Sequence, residues 1–154
     1  MAEAKTFMIE DARLIFRNFE GKEGMYNVAG DRNFCVPLDP EIAVKMADDG
    51  WNIKVTKPRD DEEEGTPYIQ VTVGFKNRPP RVVMITSNGR TNLTEETVGV
   101  LDWADIRQAD LICRGYDWDV NGKTGTKAYL QSLFVTIEED ALEMKYAANA
   151  VSDD

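Results

Sequence analysis

The chain has 154 residues, 42% apolar and 9% aromatic, which suits one domain with a buried core and leaves two domains cramped. It contains no histidine, which excludes the common zinc sites, Ser-His-Asp triads and Cys-His dyads, and no phosphate-loop, nucleophile-elbow or dinucleotide fingerprint is present. The net charge of −10 argues against a nucleic-acid partner until it is located: residues 60 to 64 and 138 to 154 hold 11 of the 28 acidic residues but one of the 18 basic ones, leaving a neutral body with 17 of each.

In chain order the pattern is mostly period two, the mark of half-buried strands. In DARLIFRNF, Ala12, Leu14 and Phe16 fall on one side and Arg13, Ile15, Arg17 and Phe19 on the other. A glycine-rich loop, GKEGMYNVAGD, leads to a second strand, RNFCVPL, so the tripeptide Arg-Asn-Phe stands on both flanks of the loop. Asp39-Pro40-Glu41 supplies the N-cap, N1 proline and first-turn acid of a helix that stops at Gly50. WNIKVTKP alternates again, with Trp51, Ile53 and Val55 together, before the charged loop DDEEEGTP.

PYIQVTVGF sends Ile69, Val71, Val73 and Phe75 inward and Tyr68, Gln70 and Thr72 outward. NRPP turns the chain into RVVMITSNGR, whose Asn88-Gly89 marks a tight turn. Thr94-Glu95-Glu96 opens a second helix through about Asp105. ADLICRGYDWDV, NGKTG and KAYLQSLFVTIEE then form a long hairpin around Asn121-Gly122. EEDALEMKYAANAVSDD closes the chain as a short helix and a frayed acidic terminus.

Seven or eight strands with two or three short helices point to a mainly β fold. The alternation argues against a doubly wound parallel sheet, whose buried strands are continuously apolar. Long hairpins with glycine-rich loops suit a closed or partly closed antiparallel barrel over residues 1 to 138, followed by an acidic C-terminal helix or tail over 139 to 154; a β-sandwich is the alternative. Cys35 and Cys113 lie in apolar runs and read as buried, reduced thiols. No run approaches the ~20 apolar residues of a membrane span, and MAEAKTFMIED lacks the regions of a signal peptide. The expectation is a soluble, cytoplasmic protein without membrane contact.

Two strand faces mix cations with aromatics: Arg13, Ile15, Arg17 and Phe19 in the first strand, and Ile112, Arg114, Tyr116 and Trp118 before the last hairpin turn. Single-stranded nucleic acid gives that mixture a purpose, because bases stack on aromatic faces whatever their identity while Arg and Lys follow the phosphates. The loop with Lys22 and Tyr26 can close over the strand, Arg32 adds a cation from the second tripeptide, and Lys123 and Lys127 add phosphate contacts from the hairpin tip. The competing reading makes these aromatics a second core layer with snorkelling arginines. Phe34 shares a face with Val36 and Leu38, and Trp51 and Trp103 adjoin helices, so all three belong to the core. No cofactor or metal follows: DDEEE lacks the spaced turn residues of a calcium loop.

The runs MIEDARLIFRNFEGKEGMYNVAGDRNFCVPLD, DGWNIKVTKPRD and GYDWDVNGKTGTKAYL resemble single-stranded DNA-binding proteins of tailed bacteriophages, over residues 8 to about 138. The resemblance implies an OB-like barrel that coats single-stranded DNA in phage replication or recombination, with no catalytic residues and often an acidic C-terminus. The partner it implies is single-stranded DNA; the acidic tail makes replication or recombination proteins further candidate partners, and a homo-oligomer is a candidate assembly. A tail that occupies the basic groove would be revealed by tighter binding after truncation at about residue 140. The alternative functions are a phage virion or assembly protein and an acidic protein-interaction module that mimics DNA.

Overall fold

The structure is a computed structural model and describes residues 5–25, 27–56, 65–76 and 78–139. The alternating segments become β1 (Thr6–Ile9), β2 (Ile15–Asn18), β3 (Asn33–Pro37), β4 (Ile53–Val55), β5 (Pro67–Thr72), β6 (Arg81–Thr86), β7 (Gly89–Leu93), β8 (Ile106–Val120) and β9 (Lys123–Ile137). β1 and β7 are not read as strands from the sequence, β7 being foreshadowed only by the Asn88-Gly89 turn that opens it. The helix expected after Asp39 forms as α1 (Pro40–Asp48), with Pro40 in its first turn.

The second expected helix shrinks to a 3-10 turn, Val98–Asp102. Ahead of it, the Thr97 hydroxyl accepts a 2.7 Å bond from the Thr94 backbone N–H, and the Thr94 hydroxyl donates to Glu96. Such local side-chain bonds compete with an α-helical start. The third expected helix and the DDEEE loop lie outside the described residues, apart from Glu139 of the tail segment.

β8 and β9 pair antiparallel from Ile106↔Ile137 to Val120↔Lys123. Asn121 (φ 53°) and Gly122 (φ 80°) close the hairpin with both turn residues left-handed, which matches the twist of the flanking strands. β1 lies on the free edge of β8. The far edge of β9 is divided: β5 takes Ala128 and Tyr129, and β6 takes Ser132 to Thr136, both in parallel. From β5 the sheet continues to β3 and β2, while β4 also pairs β5 and β7 pairs β6.

The expected antiparallel barrel is therefore corrected twice. Two pairings are parallel, and among the described residues the path runs from β1 to β2 without closing into a barrel. The physical reason is the length of β9, whose 15 residues of edge take two short strands that arrive by crossover rather than by hairpin.

Two local shifts decide which side chains face the core. Ile112 opposes Ser132 but Cys113 opposes Leu130, leaving Gln131 as a bulge. On the tip side of it the even residues Thr126, Ala128 and Leu130 are buried; beyond it the odd residues Leu133 and Val135 are. In β2 a left-handed φ of 50° at Phe16 does the same. Ala12 and Leu14 are buried as expected, but Phe16 is turned out and Phe19 is turned in. A slip of one residue inverts every side chain that follows it.

Candidate nucleic-acid interface

The two Arg-Asn-Phe tripeptides face each other across β2 and β3, with Asn18 opposite Asn33. The rings of Phe19 and Phe34 stack with centroids 5.0 Å apart at 21°, and neither ring has exposed surface. Arg17 Nη1 donates to the carbonyls of Leu101 (2.8 Å) and Ala104 (2.7 Å). The Asp102 carboxylate accepts from the backbone of Phe19 and Glu20. Arg17 and Phe19, expected on the nucleic acid, instead hold β2 against the 3-10 turn.

Two further candidates, Lys22 and Arg13, also fall away from a shared site. Lys22 lies 3.4 Å from Glu20 and 4.9 Å above the Trp103 ring. Trp103 itself, expected in the core, is 75% exposed, because the five-residue turn ends before it can be carried inward. Arg13 is exposed, but its neighbour Ala12 bonds to Ala109, at the end of β8 remote from the hairpin tip. Tyr26 lies outside the described residues. The loop around it is tied down: Asn18 and Lys22 exchange side-chain-to-backbone bonds, and Asn27 Nδ2 reaches the carbonyls of Lys22, Val28 and Asp31.

The hairpin arm gathers the others. Its cross-strand pairs are Arg114↔Tyr129, Tyr116↔Lys127, Trp118↔Gly125 and Val120↔Lys123, and all eight side chains or their positions share one face. Cation faces aromatic in the two pairs nearest the root, Arg114↔Tyr129 and Tyr116↔Lys127, and Trp118 and Lys123 follow toward the tip. The rings of Tyr116 and Tyr129 meet edge to face at 6.1 Å, and Lys127 Nζ stands 5.4 Å from the Tyr129 ring. The acids of the arm, Asp117 and Asp119, take the opposite parity. There Asp117 accepts a 2.8 Å bond from the Thr126 hydroxyl, and Gly115 leaves room for Trp51.

At the root of the arm this face runs into a groove of about 600 Å³. Among the described residues Arg32, Lys76, Arg78 and Arg114 line it against Asp31 and Glu95, with Phe75, Tyr116 and Tyr129 as its aromatic surface. Arg114 Nη2 donates to the Arg78 carbonyl at 3.3 Å, which ties the arm to the loop after β5. The Arg32 guanidinium lies 5.7 Å from the Phe75 ring and 3.3 Å from Glu95. The two cysteines are buried and free, and burial pushes the Cys35 thiol up to about 11, with Cys113 moved the same way.

The structure therefore unites Arg32, Arg114, Tyr116, Trp118, Lys123 and Lys127 of the expected set. It adds four residues that sequence reasoning passed over. Tyr129 was legible, as an odd position opposite the even face of β8. Phe75, expected inward, does pack against the core but stays half-buried and also lines the groove, because β5 ends at Thr72 and the alternation lapses after Val73. Lys76 and Arg78 were visible only as part of a turn.

Rings spaced along a strand and interleaved with cations can stack bases and neutralise phosphates without reading sequence. The family model for the phage ssDNA-binding domain matches residues 2–154. The chain belongs to that family.

Within it, the fold resembles that of the single-stranded DNA-binding protein from bacteriophage Enc34, with a TM-score of 0.55 and 13% identity over 88% of this chain and 82% of that one. The same phage protein in complex with ssDNA gives a TM-score of 0.56 and 12% identity over 88% of each chain. At these identities the likeness is one of fold. No curated protein matches this member of the phage ssDNA-binding family in sequence. Among the described residues no helix is long and apolar enough to cross a membrane.

Proposed function

We propose that this protein coats single-stranded DNA without sequence preference, along the arm face and the groove at its root. Bases stack on Tyr116, Trp118 and Tyr129, while Arg32, Lys76, Arg78, Arg114, Lys123 and Lys127 meet phosphates. The observation that carries this reading is the pairing of cation with aromatic across β8 and β9, continuous with a groove of four cations. The Enc34 relative, whose fold this chain shares, is a single-stranded DNA-binding protein with a structure in complex with ssDNA. Tyr26 joins the site in this reading because its loop runs to Gly30 and Asp31 on the groove wall.

The role is binding, with no catalytic step, in phage DNA replication or recombination within the host cytoplasm. The sheet is then an open variant of an OB-like barrel spanning residues 1 to 138. The acidic segment after it serves replication or recombination proteins or neighbouring copies of the chain.

Fluorescence anisotropy of a labelled oligo-dT, beside a duplex of equal length and at two salt concentrations, tests the reading. Preference for the single strand is expected, with affinity falling on a log–log salt plot by about 0.7 per neutralised phosphate. Equal affinity for the duplex, or no binding at micromolar protein, would remove the stacking face from consideration.

A further inference from the structure

Arg32 stands where the basic groove meets a second one of opposite character. That second groove is lined by Glu20, Glu96, Val100 and Trp103, and it shares Arg32 and Glu95 with the first. The Arg32 side chain is 19% exposed, whereas that of Glu95 is 49% exposed. Their contact is a single one, Nη1 to Oε1 at 3.3 Å, although a guanidinium can give a carboxylate two parallel bonds. Arg32 Nε is fully buried and has no hydrogen-bond partner among the described residues. A buried guanidinium N–H without an acceptor is an unfavourable arrangement unless some other state supplies one.

We propose that Glu95 is an internal stand-in for a DNA phosphate, holding Arg32 in the free protein and losing it to the strand on binding. This rests on the reading above. The displaced guanidinium turns off the Phe75 ring into the basic groove and offers Nε and a terminal nitrogen to one phosphate together. Glu95, the more exposed partner, returns to water at little cost. Two consequences follow. The protein binds DNA less tightly than its cations allow, because one of them starts out paired. The number of phosphates neutralised is unchanged, because Arg32 reaches the same phosphate whether or not Glu95 held it beforehand.

Glu95→Gln separates these effects from general electrostatics. The expected result is an oligo-dT affinity about fivefold higher at low salt, from removal of one competing charge pair. The log–log salt slope stays close to that of wild type, because Arg32 meets the same phosphate in both proteins. In an Arg32→Gln background, which removes the cation, Glu95→Gln changes neither quantity. An equal gain in both backgrounds would show that Glu95 acts only as a distant negative charge, and an unchanged or lower affinity in the single variant would overturn the competition. Failure of the wild-type protein to bind oligo-dT sinks the function itself and is seen before any variant is compared. Thermal melts of each variant confirm folding.

Discussion

The indole of Trp118 lies across Gly125 on the neighbouring strand. A Cβ at Gly125 would stand 2.7 Å from Trp118 Cζ2 and would also press on the Asn52 side-chain oxygen. Gly125 is thus the seat of the outermost stacking ring. Gly125→Ala should push the indole off its strand and lower oligo-dT affinity about as much as Trp118→Ala, roughly tenfold, within the 1–3 kcal/mol of one base stack. Anisotropy titrations of both variants check this; full affinity in Gly125→Ala would mean that the indole position is immaterial.

Tyr116 and Tyr129 act as a pair. Either Tyr→Ala change should cost about 1–3 kcal/mol of binding. Because the rings touch, the double variant should cost less than the sum, as residues in contact do not add. A double-mutant cycle on oligo-dT measures the coupling, and strict additivity would show that they serve separate bases.

Arg17 and Phe19 should report on stability and leave binding alone. Phe19→Ala empties half of a stacked, fully buried pair and should destabilise by about 3–5 kcal/mol. Arg17→Ala leaves two carbonyls without their charged donor and should cost about 3 kcal/mol. Urea denaturation gives both numbers. Arg114→Ala should do the reverse, with weaker binding at an unchanged midpoint.

Alkaline pH should loosen the fold through Cys35. Burial raises its thiol from the ordinary 9.0 to about 11, offset in part by nearby Lys54. The folded state therefore keeps the proton longer than the unfolded chain does. The stability this contributes is complete below 9 and is lost as pH rises toward about 11. Urea midpoints at about pH 8 and about pH 10.5 should differ less in Cys35→Ala than in wild type. An identical drop in both would place the alkaline weakness elsewhere.

The hairpin arm was the most legible part of the molecule. Asn121-Gly122 fixes the turn, and uninterrupted alternation in GYDWDV fixes the face, so Arg114, Tyr116 and Trp118 could be placed together from sequence. The first strand misled for a physical reason. A left-handed residue at Phe16 carries no compositional mark, and it alone moved Phe19 from surface to core. Arg17 misled because its partners are carbonyls 84 and 87 residues away, which no local pattern reveals. The repeated tripeptide proved to be a packing device, with one Phe stacked on the other, and only Arg32 of its cations reaches the groove.

The bulge at Gln131 has a bearing on how this hairpin can change length. It separates the arm's side-chain parity from that of the core, so arm residues can be added or removed without disturbing Leu133 and Val135. One extra residue in each arm strand would turn the rings beyond it to the acidic side, whereas two restore them. The arm is therefore a ruler graduated in steps of about 6.8 Å, two residues of antiparallel strand. Length variants of this hairpin should accordingly differ by multiples of four residues, each step moving the tip by one cross-strand pair of this face.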